Sequence, residues 1–243
     1  MKAMVFAAGL GTRLRPLTND RPKALVEVYG KPLLEWVILK LRENGIREIV
    51  VNVHHFADKI ETFLEEKENF GIDIHISDER EFLLETGGGL KFAKDLLQGD
   101  EPILIHNADI ISDLDIQAFI NFHTKNNALA SLAVSHRHTS RYLHFDEDNQ
   151  LTGWENIKTS EVRPARNPSG EIRRLAFSGI HLINPEFLDV IIEEGKFSII
   201  EVYLRLAAHN KIVGYQHESS NWFDVGKPEN LPLAEAYLKK TNS

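Results

Sequence analysis

The 243-residue sequence predicts an α/β domain built on a doubly wound, mostly parallel sheet. Short apolar runs, typical of buried strands, alternate with amphipathic stretches, typical of helices, from residue 3 to about residue 135. Several of these runs are continuously apolar, as expected of strands that helices cover on both faces. Ligands of such folds bind beyond the carboxyl ends of the strands, and we therefore expect the functional residues there.

The predicted elements follow in chain order. Strands are predicted at residues 3–8, 49–53, 72–76, 103–106, 129–134, 175–183 and 211–215. Helices are predicted at residues 32–45, 57–67, 90–97 and 116–126, then from Pro185, from Ser198, and finally through Tyr237. Pro32 suits a first helical turn, and Gly45 suits a C-terminal cap. Residues 136–176 are polar and turn-rich, which predicts hairpins in a small β-rich subregion.

Composition excludes several classes of protein. With 28 Lys and Arg against 36 Asp and Glu, the net charge of −8 disfavours nucleic acid and anionic membranes as partners. The absence of cysteine excludes disulfides and thiolate metal sites or nucleophiles. The first apolar run is too short for a signal peptide, and no stretch approaches a membrane span. We therefore expect a cytoplasmic protein that is a monomer or a small homo-oligomer.

A long basic loop follows the first strand. Gly9 and Gly11 can bring backbone N–H groups close to an anion, and four cations between residues 9 and 23 face one acid, Asp20. The loop lacks the Gly-Lys-Ser/Thr of a Walker motif. Leu14 stands where a dinucleotide fingerprint needs its third glycine, which disfavours a nicotinamide-dependent oxidoreductase. Because loops of about 20 residues are usually functional, this one predicts a binding site for the phosphates of a nucleoside triphosphate.

Part of this loop resembles the signature of the sugar-1-phosphate nucleotidylyltransferases: Gly9-Leu10-Gly11-Thr12-Arg13-Leu14-Arg15-Pro16-Leu17-Thr18, followed by Pro22-Lys23-Ala24-Leu25. These enzymes condense a nucleoside triphosphate with a sugar 1-phosphate, giving a nucleotide sugar and pyrophosphate. The resemblance implies one Rossmann-like domain over residues 1–243, with a nucleotide-binding part at 1–135 and a sugar-binding part at 136–243. It also implies catalytic roles for Arg13, on the β- and γ-phosphates, and for Lys23, on the α-phosphate and the incoming phosphate.

Three glycines stand just before the helix predicted at residues 90–97, in Glu85-Thr86-Gly87-Gly88-Gly89. In a first helical turn three glycines lower the stability of the helix by about 2–3 kcal/mol relative to alanines. This cost predicts a function for them, such as contact with the nucleobase. A loose cap with Thr86 as N-cap is the alternative. The pentapeptide resembles the branch of the family that acts on N-acetylmuramate 1-phosphate with UTP. A mannose-1-phosphate guanylyltransferase using GTP and a non-catalytic regulatory protein that binds nucleotide sugars remain as alternatives.

Two acids are the candidate metal ligands. Asp109 follows the strand at 103–106, and Asp224 lies in Trp222-Phe223-Asp224-Val225-Gly226. The family carries an acid at both places, usually with Gly rather than Ala before the first, which implies that the two bind Mg²⁺. Two carboxylates suffice, because phosphate oxygens and water complete the shell of this ion. The alternative to metal binding is a role in a strand-end turn for Asp109 and in a helix-entry cap for Asp224. The nucleotide-binding residues that the resemblance implies are Ala8, Gly9, Gly11, Thr12, Arg13, Lys23, Gly87, Gly88 and Asn107.

The sugar side departs from the family pattern. Phe177-Ser178-Gly179-Ile180 resembles a strand whose small residues let the sugar approach the sheet. Trp154-Glu155-Asn156 stands where many relatives have Glu-Lys-Pro, so that Asn156 replaces a lysine that binds the sugar phosphate. Glu155, Ser178 and Gly179 are therefore the expected sugar-binding residues. Candidates for the missing cation, which could equally form an exposed basic loop, are Arg163, Arg166, Arg173 and Arg174.

Overall fold

Fourteen strands are present in the part of the chain that the computed structural model describes, residues 1–217 and 221–241. They form one large mixed sheet and two small two-stranded sheets. The strands are β1 (Lys2–Phe6), β2 (Glu27–Val28), β3 (Lys31–Pro32), β4 (Glu48–Val53), β5 (Asp73–Asp78), β6 (Ile103–Asn107), β7 (Ile110–Ser112), β8 (Ala130–Ser135), β9 (Arg141–Phe145), β10 (Leu151–Asn156), β11 (Glu161–Pro164), β12 (Arg173–Ile183), β13 (Ile212–Gln216) and β14 (Trp222–Asp224).

Seven α-helices accompany these strands in the described residues: α1 (Leu33–Glu43), α2 (Ala57–Glu66), α3 (Glu85–Phe92), α4 (Lys94–Leu97), α5 (Ile116–Asn126), α6 (Ile199–Ala207) and α7 (Leu231–Thr241). Short 3₁₀ turns occupy Thr12–Leu14, Lys23–Leu25, Glu68–Gly71, Pro185–Val190 and Pro228–Asn230. None of the helices in residues 1–217 and 221–241 has the length and apolar character that crossing a bilayer requires.

The large sheet joins a parallel half to one that is antiparallel except where β13 pairs with β8. β6, β1, β4 and β5 lie side by side in that order, and all three pairings are parallel. β12 runs antiparallel to β6, β8 and β9, and so connects the parallel half to the hairpins of β9, β10 and β11. The predicted α/β class with a doubly wound, mostly parallel core sheet is confirmed, and the predicted hairpins lie within residues 136–176.

Apolar side chains cover both faces of the sheet. On one face a core forms around Tyr203 and Phe187, together with Leu90 of α3. On the other face Ile38 of α1 and Ile60 of α2 belong to a second core. Because helices close both faces, ligands have access at the edge where β1, β4 and β6 end.

Two helix predictions were wrong. The stretch after Pro185 is a 3₁₀ turn that ends at Val190, because Ile191 is already in extended conformation. The helix predicted at 90–97 begins instead at Glu85 and breaks at Ala93, which separates α3 from α4. The glycines of α3 are therefore helical, although glycine disfavours helix, because tertiary packing outweighs intrinsic propensity.

Candidate active site

A cleft of about 260 Å³ lies beyond the carboxyl ends of β1 and β6. Five residues of the predicted set line it, namely Ala8, Gly9, Lys23, Asn107 and Asp109. The other lining residues are Phe6, Ala7, Ala24, Asn52, Glu79, Leu83, Glu85, Thr86 and Ala108. Backbone N–H groups, an amide, carboxylates and a lysine thus meet in one concave site, which is the usual composition of a small-molecule binding site.

The basic loop folds back on itself around Gly11. The φ of +64° at Gly11 is unfavourable for residues with a side chain, and a Cβ there would lie 2.9 Å from the Cβ of Lys23. The Thr18 hydroxyl donates to the Gly11 carbonyl at 2.8 Å and closes the turn. Thr12 and Arg13 are exposed on the 3₁₀ turn that follows. Glycine at position 11 therefore lets the first part of the loop approach Lys23.

Lys23, Asp109 and Asp224 converge on Gly226. The Lys23 ammonium forms an ion pair with Oδ2 of Asp109. A Cβ built on Gly226 would lie 2.5 Å from Lys23 Nζ and 2.8 Å from both Asp109 Oδ2 and Asp224 Oδ1. β14 pairs with β7, so that Asp224 is opposite Ile110, and the Gly226 N–H donates to Asp224 Oδ1 at 3.0 Å. The two acids predicted as metal ligands are therefore brought together.

The chemistry of this cluster fits a divalent cation. Burial and the negative charge of Asp109 raise the pKa of the Asp224 carboxyl, while Lys23 and Arg13 oppose that rise. A cation between the acids would relieve both effects. In residues 1–217 and 221–241 no group of three or more acids or histidines forms a ligand set. An ion bound by Asp109 and Asp224 would therefore draw its other ligands from phosphate oxygens and water, as Mg²⁺ does.

A buried amide that the sequence did not point to holds the start of the basic loop. Oδ1 of Asn52, at the end of β4, accepts the backbone N–H groups of Ala7 and Ala8 at 2.7 and 3.3 Å. Its Nδ2 donates to Oε1 of Glu79 at 2.6 Å, and Oε2 of Glu79 accepts the N–H of Leu84 at 3.1 Å. Burial raises the pKa of the Glu79 carboxyl, and these two hydrogen bonds oppose the rise. Asn52 and Glu79 thus connect the basic loop to the start of α3.

The α3 glycines lie against another part of the chain. The N–H groups of Gly87 and Gly88 both donate to the Phe197 carbonyl, at 3.0 and 3.3 Å. A Cβ at Gly87 would clash with the Phe197 ring, and one at Gly88 would clash with the Gly195 carbonyl. Thr86 is not the N-cap of α3, and its hydroxyl instead accepts the Ile199 N–H at 3.0 Å. Close packing is thus a second reason for these glycines, and their contact with a nucleobase stays a prediction.

The predicted sugar-side residues differ in their surroundings. Gly179, with φ +75°, lies so near Asn107 that a Cβ would be 2.8 Å from its Nδ2. Ser178 is buried and its hydroxyl contacts Nε2 of His217 at 2.7 Å. Glu155 is also buried and forms an ion pair with Arg174 at 2.8 Å. In this structure the carboxylate and the hydroxyl are thus engaged within the protein, and their contact with a sugar stays a prediction.

The four arginines proposed to replace the missing lysine all have protein partners. Arg163 pairs with Glu161 at 2.6 Å, and Arg166 donates to Gln150 at 2.8 Å. Arg173 donates to Oδ1 of Asn149 at 2.5 Å, and Arg174 pairs with Glu155. In this structure these four cations are thus engaged within the hairpins, and their contact with a sugar phosphate stays a prediction.

Comparison with known proteins shows the family. The nucleotidyl transferase family model matches residues 2–241. The chain is 38% identical to the N-acetylmuramate alpha-1-phosphate uridylyltransferase of Caulobacter vibrioides, over 97% of this chain and 96% of that one. It is 32% identical to a mannose-1-phosphate guanyltransferase of Yarrowia lipolytica, over 95% of this chain and 62% of that one.

The fold has close structural neighbours. A putative glucose-1-phosphate thymidylyltransferase of Bacillus anthracis, solved in complex with sucrose, superposes with a TM-score of 0.80. That structure is 19% identical and covers 98% of this chain and 94% of its own. The fold, the cleft and the sequence relationship lead to one conclusion: the chain is an enzyme of the nucleotidyl transferase family, in the group that acts on sugar 1-phosphates.

Proposed function

We propose that this enzyme transfers UMP from UTP to N-acetylmuramate 1-phosphate and releases pyrophosphate. The convergence of Lys23 and Asp109, which line the cleft, with Asp224 on Gly226 is the observation that carries the nucleotidyl-transfer chemistry. The uridylyltransferase of C. vibrioides supports the choice of substrates, because it matches this chain over nearly its full length.

The transfer needs few groups from the protein. The sugar 1-phosphate is largely dianionic near neutral pH, since its second pKa is about 6, and its oxygen needs no general base. That oxygen attacks the α-phosphorus, the bond to the bridging oxygen of the β-phosphate breaks, and pyrophosphate leaves with the electron pair. The protein has to align two polyanions and stabilise the charge that moves onto the leaving group.

Each charged side chain then has a definite role. Arg13 binds the β- and γ-phosphates and stabilises the departing pyrophosphate, while Lys23 binds the α-phosphate and the incoming phosphate. The backbone N–H groups of the loop from Gly9 to Gly11 orient the phosphates, and Asn52 fixes where that loop begins by accepting the N–H groups of Ala7 and Ala8. Asp109 and Asp224 would hold Mg²⁺, which neutralises phosphate charge when it is bound.

A guanylyl transfer from GTP to mannose 1-phosphate is the second candidate. It is favoured by the guanyltransferase of Y. lipolytica, at 32% identity. The two candidates differ in the nucleobase.

A uridylyl enzyme should also discriminate among pyrimidines. Uracil offers one N–H between two carbonyl acceptors, and a pocket built for that edge leaves a polar group unpaired when cytosine binds. Such a mismatch costs about 1–3 kcal/mol, whereas the extra methyl of thymine disturbs no hydrogen bond.

A substrate matrix tests the proposal. UTP, TTP, GTP and CTP are each combined with N-acetylmuramate, mannose and glucose 1-phosphates, and pyrophosphate release is followed. We expect the highest kcat/KM for UTP with N-acetylmuramate 1-phosphate, partial use of TTP, and discrimination against CTP of about tenfold to a hundredfold. A clear preference for GTP and mannose 1-phosphate would favour the second candidate. No pyrophosphate from any pair would indicate a regulatory nucleotide-sugar-binding protein.

A further inference from the structure

Arg137 places a cation on the side of β14 that carries Asp224. It lies between β8 and β9, and its guanidinium carbon is 4.0 Å from the centroid of the Trp222 ring. Trp222 and Asp224 are two residues apart on β14, so that their side chains leave the strand on the same side. The guanidinium stacked on Trp222 is therefore on the side of β14 that carries the Asp224 carboxylate. Asp224 and Tyr142 oppose the effect of burial, which lowers the pKa of Arg137.

The surroundings of Arg137 hold its guanidinium in place but leave most of its donors unused. Nη2 donates to the Phe177 carbonyl at 2.5 Å. Trp222 in turn donates from Nε1 to the Ser178 carbonyl at 2.9 Å, which fixes the ring on which Arg137 stacks. Within residues 1–217 and 221–241, the Phe177 carbonyl is the one hydrogen-bond acceptor that the guanidinium contacts. An arginine has five N–H donors and keeps its charge in proteins. Nε of Arg137 is buried, so that an anion would bind to the remaining donors of Nη1 and Nη2 while the bond to the Phe177 carbonyl is kept.

Other cations of the sugar side fit an anion less well. Arg163, Arg166, Arg173 and Arg174 already have protein partners. Arg141 is directly opposite Asn156 in the pairing of β9 with β10, but it is exposed. Arg137 differs from these because the ring that it stacks on, Trp222, belongs to the side of β14 that carries Asp224, one of the acids proposed to hold Mg²⁺.

We propose that Arg137 binds the phosphate group of the sugar 1-phosphate, in place of the lysine that the family motif has at the position of Asn156. This inference rests on the proposed sugar-1-phosphate chemistry, but it does not depend on which sugar is used. The phosphate must come next to Asp109 and Asp224 for the transfer to occur. A guanidinium fork held on Trp222 can donate two hydrogen bonds to phosphate oxygens, which a lysine cannot do in the same planar geometry.

Kinetics of matched arginine variants test the inference. Arg137→Gln removes the charge, and Arg137→Lys keeps the charge without the planar fork. Arg42→Gln is the control, because Arg42 is also a partly buried arginine that donates to a backbone carbonyl, that of Phe70 at 3.0 Å. Arg141→Gln tests the competing cation. We expect Arg137→Gln to raise KM for the sugar 1-phosphate by about tenfold or more, with KM for the nucleotide within about twofold of wild type. Arg137→Lys should recover part of that loss, and Arg42→Gln should resemble wild type.

Three kinetic outcomes would overturn the inference. The first is an unchanged KM for the sugar 1-phosphate in Arg137→Gln. The second is an equal rise in both KM values of Arg137→Gln together with a lower Tm, which indicates a structural role. The third is a rise in KM for the sugar 1-phosphate in Arg141→Gln instead of Arg137→Gln.

Calorimetric titration of the sugar 1-phosphate into wild type and Arg137→Gln reads the same contact without turnover. A weaker Kd in the variant supports the inference, and an equal Kd overturns it. If wild type binds the sugar 1-phosphate but makes no nucleotide sugar, the proposed function is wrong. The comparison of the wild-type Kd with that of Arg137→Gln would still test the role of Arg137. Wild type that binds no sugar 1-phosphate would overturn both proposals.

Discussion

Asn52→Ala tests how far catalysis depends on the buried side chain that holds the start of the basic loop, because it changes none of the charged residues of the site. Asn52 is 2% exposed, and its amide joins Ala7 and Ala8, at the start of the loop, to Glu79. The truncated side chain would leave the N–H groups of Ala7 and Ala8 without their acceptor. It would also remove one donor from the buried carboxylate of Glu79.

The expected magnitude follows from the bonds that are lost. Three hydrogen bonds disappear, and each contributes about 1 kcal/mol net, with the 3.3 Å bond from Ala8 at the weak end. We therefore expect the free energy of unfolding to fall by about 3 kcal/mol, a large part of the roughly 5–15 kcal/mol typical of a domain. A loop displaced by about 1 Å can also lower the catalytic rate by about a hundredfold.

Urea denaturation measures the first quantity, and pyrophosphate release measures the second. Asn126→Ala is the matched control, because that amide makes one hydrogen bond, to the Phe122 carbonyl on the surface of α5. It should cost less than about 1 kcal/mol and leave kcat/KM unchanged. The reasoning is refuted if Asn52→Ala unfolds at the same urea concentration as the control and retains wild-type kcat/KM.

Three further substitutions test other parts of the site. In Gly226→Ala the three atoms nearest to the new methyl are flexible side-chain ends, those of Lys23, Asp109 and Asp224, so turnover should fall about a hundredfold while Tm stays near wild type. In Gly88→Ala the methyl meets the backbone carbonyl of Gly195, and Tm should fall together with the affinity for UTP, as a thermal melt and a titration would show. Arg13→Ala should mainly lower kcat, whereas Lys23→Ala should lower kcat and also weaken sugar-phosphate binding, which steady-state kinetics distinguish.

The sequence predicted those parts of the site whose residues are close together in the chain. The glycines and cations of the basic loop lie within one segment, and Asp109 follows a run that is plainly a buried strand. Asp224 could be paired with Asp109 through resemblance to the family, and the structure adds the β7–β14 pairing that brings the two acids together.

The missed residues depend on contacts between distant segments. Asn52 and Glu79 are single polar residues near the ends of two different strands, and no spacing relates them. Arg137 gains its orientation from Trp222 and Phe177, which are far from it in sequence. The packing of Gly88 against Gly195 was invisible for the same reason, and a role in binding the base was therefore the natural interpretation.

Pyrophosphate release by Asp109→Asn tests the central claim, that nucleotidyl transfer takes place at the paired acids, most directly. Asp113→Asn is the control, because Asp113 is also an acid of this edge but its side chain is held by Asn221 at 2.6 Å. With Mg²⁺, UTP and N-acetylmuramate 1-phosphate, Asp109→Asn should be slower than wild type by about a hundredfold or more. Asp113→Asn should stay near the wild-type rate, and EDTA should abolish wild-type turnover. Wild-type turnover by Asp109→Asn, or full activity in EDTA, would contradict the account.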